Sequence, residues 1–212
     1  MTARAADPQA VLETIQRTNR FVLQQVFKPM MNEYRISAPA EGSEEGEPLL
    51  FVRQKRMKIK EDIRFRVDPD VEEHLFMIKS KSVFEFRGRH EVLDAQSQVL
   101  GMLEKAFGKS LLRSHWRVRD AAGDELFEAH EASWFVALLR RFADALPSWL
   151  SLLAFVPFNF VLKRDGEQVG TYRRVLGKLR DRYVVELEPG LQEVDRRLVL
   201  ALAVGLDALQ DR

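Results

Sequence analysis

Apolar and charged residues alternate along the middle of the chain with the period-2 signature of half-buried strands. Across 56–67, Met57, Ile59, Ile63, Phe65 and Val67 fall on one face and Arg56, Lys58, Lys60, Arg64 and Arg66 on the other. Glu61 breaks the apolar face, so a turn or bulge near Glu61–Asp62 splits this run into two strands. Phe76, Ile78, Phe84 and Phe86 share a phase; so do Leu112, Ser114, Trp116 and Val118, and again Tyr183, Val185 and Leu187. Similar runs near 21–27, 33–37, 91–95, 98–104, 125–131, 158–163 and 168–174 bring the total to about a dozen strands. The class is mainly β. Between the second and third runs, PAEGSEEGEP (39–48) reads as a solvated loop. Residues 1–19 read as a loose tail with one helical turn after Pro8, and 20–212 as one domain.

Part of the sheet reads as a duplication. Val99-Leu100-Gly101 runs through Gly108-Lys109 to a strand with Trp116 and Val118; Val169-Gly170 runs through Gly177-Lys178 to one with Tyr183 and Val185. Each copy is a hairpin with a Gly-Lys turn. Two stretches are helical instead: a short excursion over 133–156, whose amphipathic helix Ser133–Ala145 is stopped by Pro147, and a C-terminal helix over 193–210. Leu198–Leu206 (LVLALAVGL) is apolar on every side, so this helix must be enclosed. It is shorter than the ~20 apolar residues that span a bilayer. A sheet of about twelve strands closes to a barrel too wide for side chains alone to fill, and a helix ~10–12 Å across fits that space. The prediction is a closed β-barrel around its own C-terminal helix, with Leu198, Leu202, Gly205, Leu206 and Asp207 as core positions. Asp207, a carboxylate in an enclosed helix, needs partners, and backbone amides or an Arg are expected. Arg196 and Arg197 are expected to pair with rim acids such as Glu186 or Glu188.

Composition narrows the chemistry. The 212 residues carry 33 Lys+Arg against 32 Asp+Glu and no cysteine. Disulfides, thiolate metal sites and Cys nucleophiles are excluded, and a net charge of +1 argues against a nucleic-acid binder. The first twenty residues lack an apolar core, so a cytoplasmic protein without a signal peptide is expected. Phe107-Gly108-Lys109-Ser110 is no phosphate loop, because the first glycine of that motif is replaced by Leu103. His74, His90, His115 and His130 have no zinc spacing, and Gly-x-Ser-x-Gly is missing. No catalytic constellation, metal or cofactor is expected.

The barrel around an apolar C-terminal helix resembles the tubby C-terminal-like architecture shared by tubby proteins, phospholipid scramblases and the LURP-one-related family. The LURP-one-related pattern is echoed by Gln54-Lys55-Arg56-Met57-Lys58 with Glu61-Asp62, by Glu91-Val92-Leu93-Asp94 before Gly101, and by Val194-Asp195-Arg196-Arg197. The chain lacks the cysteine cluster, Pro-rich arm and Asp-rich calcium loop of scramblases; only Glu186, Glu188, Glu193 and Asp195 precede the last helix. Residues 49–66 hold seven Lys/Arg and two acids. Such a stripe suits anionic head groups, each base near an anionic surface being worth ~1 kcal/mol. Tubby domains bind phosphoinositides through basic residues on the barrel, so the resemblance implies the same partner. The expectation is a non-enzymatic scaffold, peripheral at a membrane, with Arg56, Lys58, Lys60, Arg64 and Arg66 contacting anionic phospholipid. A solvated face covered by Glu41, Glu44, Glu45 and Glu47 is the plain alternative. A scramblase-like lipid handler, or a barrel carrying an apolar ligand, are the others. The apolar segment 147–157 is read as a cap on the barrel mouth, against a dimer patch or an interfacial anchor.

Overall fold

A computed structural model describes residues 7–28, 31–39, 43, 46–55, 62–79, 88–107, 114–131, 159–175 and 182–208. Twelve antiparallel strands close into an up-and-down barrel in which each strand pairs with its neighbours in sequence. They are β1 (Arg20–Lys28), β2 (Met31–Ser37), β3 (Pro48–Lys55), β4 (Ile63–Arg66), β5 (Phe76–Lys79), β6 (Arg89–Asp94), β7 (Val99–Phe107), β8 (Ser114–Asp120), β9 (Glu125–Glu131), β10 (Asn159–Arg164), β11 (Glu167–Val175) and β12 (Arg182–Leu187). β1 and β12 complete the ring, with Arg20 opposite Glu186 and Gln24 opposite Arg182. Closure leaves no sheet edge for another chain to extend.

Alternation decides what faces in. Phe21, Leu23, Tyr34, Ile36, Leu50, Val52, Ile63, Phe65, Phe76, Ile78, Trp116 and Val118 are all buried. The space they surround is filled by helix α2 (Arg196–Ala208), and every residue from Leu198 to Leu206 is buried. A helix apolar all round is stable in water only inside such a ring. Each of its large side chains gains roughly 2 kcal/mol gross from leaving solvent. Asp195 caps the helix, its carboxylate accepting from the Arg197 amide at 2.9 Å. The helix begins three residues later than the sequence implies, because residues 192–194 form a turn after the 3-10 segment Pro189–Leu191 and Asp195 is the cap.

The duplicated hairpins are β7–β8 and β11–β12, and their shared glycine has a steric cause. The β6–β7 register slips at Leu100, one residue before Gly101, and the β10–β11 register slips at Val169, one residue before Gly170. At Gly101 a β-carbon would collide with the Arg119 carbonyl oxygen and meet the Leu198 side chain at 3.0 Å. At Gly170 it would come within 2.7 Å of the Glu186 carbonyl oxygen.

Three expectations are corrected. The supposed tail is helix α1 (Pro8–Arg17), capped by Asp7 and started by Pro8, which buries Val11 and Ile15 against the core beside α2. The strand beside β4 is β3, drawn from Pro48–Lys55, so the loop after β2 ends where β3 begins and β4 lies between β3 and β5. Arg196 and Arg197 do not pair with Glu186 or Glu188. Arg197 holds Asp195 at 2.6 Å, Glu186 binds Arg20 at 3.1 Å, and Glu188 accepts from Gln168 at 2.9 Å. Arg196 is buried at the mouth where α2 enters. It donates to the carbonyls of Thr18, Leu191 and Val194 and to Asn19 Oδ1. The excursion expected over 133–156, including the apolar segment 147–157, lies outside the described residues.

Candidate basic face

Cross-strand register assembles the main charged surface. Arg182 on β12 stands opposite Gln24 on β1, which stands opposite Arg35 on β2; Arg35 is opposite Phe51 on β3, and Phe51 opposite Arg66 on β4. The adjacent row runs Glu33, Arg53, Arg64. These positions alternate with the buried ones, so both rows face outward. Glu33 is itself only 2% exposed, reached by Arg35 at 3.6 Å and by Arg53 at 3.5 Å. Arg53 also lies 3.9 Å from Asp70. The Nε atom of Arg66 is buried without a hydrogen-bond partner. At the edge nearest α1, Arg20 is tied to Glu186 and donates to the Ser43 carbonyl at 2.5 Å.

The opposite side of the barrel carries as many charges but cancels them. Across β6–β9, Arg89 and Arg119 share Glu104 at 3.0 and 3.3 Å, and Arg117 binds Glu128 at 2.9 Å. Arg119 also reaches Glu125 at 3.4 Å. The hydrogen bond from Arg89, seconded by Arg119, holds the Glu104 carboxyl below its ordinary range despite partial burial. His130 adds Nε2 to Glu128 at 2.7 Å, and its ring stacks on His115 across the β8–β9 pair. On the outer face of β12 through β4, the described strand positions carry Arg20, Arg35, Arg53, Arg64, Arg66 and Arg182 against Glu33 and Glu186, and Asp70 reaches Arg53 from the loop after β4. Like charges so close together repel one another.

Of the residues singled out in the sequence, Arg64 and Arg66 stand on this face, and Arg56, Lys58 and Lys60 lie outside the described residues. Arg53 belongs to the same basic stretch, 49–66, but Arg35 and Arg182 carry no sequence signal, because only register brings residues 35 and 182 to either side of Gln24. Glu41, Glu44 and Glu45 also lie outside the described residues. Of that loop, Pro39, Ser43, Gly46 and the exposed Glu47 are described; the Ser43 carbonyl accepts from Arg20 on β1, and Gly46 lines a cavity with Val22, Arg35 and Arg182.

Inside the barrel, the three tyrosines of the chain gather near the end of α2. Tyr34 and Tyr183 each donate to an oxygen of Asp207 at 2.6 Å, and Tyr172 stacks on Tyr183 with ring centres 5.3 Å apart. Burial, reinforced by Tyr183, Asp207 and Tyr34, pushes the Tyr172 hydroxyl well above its ordinary pKa. These phenols supply bonds that the sequence reading assigned to backbone amides or an Arg. They offset the repulsion between a carboxylate and the negative end of a helix dipole. His90 also faces inward, with its ring 6.3 Å from that of Trp116, and burial lowers its pKa. Among the described residues no three His, Asp or Glu side chains gather as metal ligands, and no helix is long and apolar enough to cross a membrane.

A family model described as LURP-one-related matches residues 49–207. The chain belongs to the LURP-one-related family. The LURP-one-related match opens in β3 and closes on Asp207, so it contains Arg53, Arg64, Arg66, Arg182 and the core helix up to its carboxylate. β1 and β2, which complete the ring and contribute Gln24 and Arg35, precede it. The chain is similar to a crystal structure of an Arabidopsis thaliana protein at 14% identity, with 99% of each chain covered and a TM-score of 0.35. No curated protein matches it.

Proposed function

We propose that this LURP-one-related chain is a non-enzymatic recognition barrel whose basic outer face, β12 through β4, seats on anionic phospholipid head groups. The observation that carries the reading is the imbalance of that face. Along one cross-strand row Arg182, Arg35 and Arg66 alternate with Gln24 and Phe51, and in the next row Arg53 and Arg64 stand side by side next to the buried Glu33. Across β6–β9, by contrast, Arg89, Arg117 and Arg119 each meet a carboxylate. Arginine suits the task, because its planar fork binds phosphate through two hydrogen bonds. The interior is a poorer place for an apolar ligand, since α2 already fills its middle.

Sedimentation with vesicles tests the reading. The parent is expected to bind phosphatidylcholine vesicles only when phosphatidylserine is added, and less as salt rises, because the Debye length falls to about 8 Å at physiological ionic strength. Arg64→Glu with Arg66→Glu is expected to lower the affinity by about tenfold or more, at ~1 kcal/mol for each base lost. Both side chains face outward, so melting should be unchanged. Equal binding by parent and variant would refute the reading. Dequenching of labelled lipid separates binding from transfer between leaflets, and transfer would favour the scramblase-like alternative.

A further inference from the structure

The loop between β4 and β5 (67–75) stands at the end of the barrel where α2 enters, because an up-and-down ring places successive connections at alternate ends. With the start of α1 and the β6–β7 turn it walls a half-open cavity of about 330 Å³. That is the lower end of the ~300–1,000 Å³ range of small-molecule sites. Pro8, Val67, Val71, Leu75 and Ala95 make its wall mainly apolar. Val71 is one of two large apolar side chains left exposed among the described residues, at 37%. A methylene takes about the ~30 Å³ share of one water, so the space holds a single chain of roughly ten carbons.

One rim of this cavity is basic. Val67 directly follows Arg66, and the Leu75 amide donates to the Phe65 carbonyl at 2.8 Å, so the apolar wall begins where the outward pair Arg64 and Arg66 ends. Neither arginine makes a hydrogen bond or ion pair among the described residues, and the Arg66 Nε atom is buried without a partner. His74 joins the two regions. It lines the cavity, and burial followed by the charges of Arg64 and Arg66 lowers its pKa, so near neutral pH its ring is an uncharged part of the wall. Two acids of the loop are engaged: Asp68 accepts from the Asp70 amide at 2.8 Å, and Asp70 lies 3.9 Å from Arg53. Glu73 is exposed on the rim.

We propose that this cavity takes the tail of a soluble single-chain anionic amphiphile, a medium-chain carboxylate, with Arg64 and Arg66 meeting its head. The space suits one short chain rather than the two longer chains of a membrane phospholipid. Burial of the tail supplies the affinity, and the two guanidinium forks, which have no competing partner, select an anionic head over a neutral one. Glu73 opposes the same head by like charge. The site uses two arginines of the basic face but needs no bilayer, so it goes beyond the reading given above.

Calorimetric titration of the full chain with hexanoate, octanoate and decanoate, each below its aggregation concentration, tests the site. Affinity is expected to rise with each added pair of methylenes, by up to about fifteenfold where both are fully buried. Decanol has the tail without the charge and is expected to bind about tenfold more weakly than decanoate; Arg64→Gln with Arg66→Gln should abolish that difference. Glu73→Gln is expected to strengthen decanoate binding about two- to threefold. Ala95→Trp fills the cavity from an exposed turn and keeps every charge, and Val71→Glu puts a charge at an exposed wall position. Both should melt with the parent and lose decanoate. No heat from decanoate, affinity indifferent to chain length, decanol bound as tightly as decanoate, or undiminished binding by both wall variants would each overturn the proposal. Sedimentation with phosphatidylserine vesicles keeps this site apart from the basic face, because Ala95→Trp should sediment as the parent does. Decanoate binding without sedimentation would support the cavity and refute the lipid-face reading, and sedimentation without decanoate binding would do the reverse.

Discussion

Arg196→Met isolates the work of one buried guanidinium. Arg196 is 1% exposed and donates to three backbone carbonyls and to Asn19 Oδ1. Thr18 and Asn19 lie between α1 and β1, and Leu191 and Val194 between β12 and α2, so this one side chain joins both ends of the barrel ring to the core helix. Methionine keeps much of the apolar stem and removes all four bonds. Hydrogen bonds from a charged donor contribute about 1.5–3 kcal/mol each, but they do not add fully here. Burial already lowers the pKa of Arg196, and relief of that desolvation returns part of the loss. The net expectation is a loss of about 2–4 kcal/mol, hence a Tm lower by about 5–15 °C for a chain of this length. Arg196→Lys should fall between, since one ammonium cannot reach every acceptor at once. Denaturant titration gives the free energy, and hydrogen exchange locates it: the amides of α1 should lose protection first. A methionine variant within about 0.5 kcal/mol of the parent would refute the reasoning, because it would mean that the four bonds are no better than those made with water.

Gly101→Ala and Gly170→Ala should each destabilise by about 1–3 kcal/mol in the same titration, since a β-carbon at either position meets a cross-strand carbonyl oxygen; a neutral result at both would remove the steric account of the duplicated glycine. Burial lowers the pKa of His90 and is the leading cause of the same shift in His74 and His115. The folded chain then binds fewer protons than the unfolded one, so their stabilising contribution is complete above the ordinary pKa of 6.5 and is lost as pH falls through the lowered values. His90→Gln should flatten the acid limb of stability against pH by up to about 1.4 kcal/mol per pH unit, and an unchanged limb would show that His90 takes no part.

The barrel was legible in the sequence because two periods agreed. Strands alternating at period 2 supply a one-sided ring, and LVLALAVGL supplies a helix that nothing but a ring could cover. β3 was missed because Leu49-Leu50-Phe51-Val52 is apolar without alternation: Leu49 is the extra residue of a bulge, and Phe51 is an apolar side chain on an outward position. α1 was read as a tail although Asp7-Pro8 is an N-terminal capping signal, because its buried contribution is mainly Val11 and Ile15. The basic face was half legible. Arg64 and Arg66 belong to a run that alternates visibly, whereas Arg35 and Arg182 become near neighbours only through the β12–β1–β2 register. Arg196 gave a charge but no clue to its partners, since three of the four are backbone carbonyls.

The place of α2 in the chain imposes an order on synthesis. Twelve strands leave the ribosome before the segment that fills them, and at roughly 5–20 residues per second the wait lasts on the order of 10 s or more. During that time the inward rows have only each other and solvent to face. The joint that closes the ring, Arg20 against Glu186, also cannot form until β12 has emerged, and such distant pairings form slowly. A nascent chain in this state is a curled, sticky sheet with two open edges, the kind of intermediate that chaperones hold. A message cut short anywhere before Arg196 therefore yields no partly working product, because the last piece made is the one around which the rest is shaped.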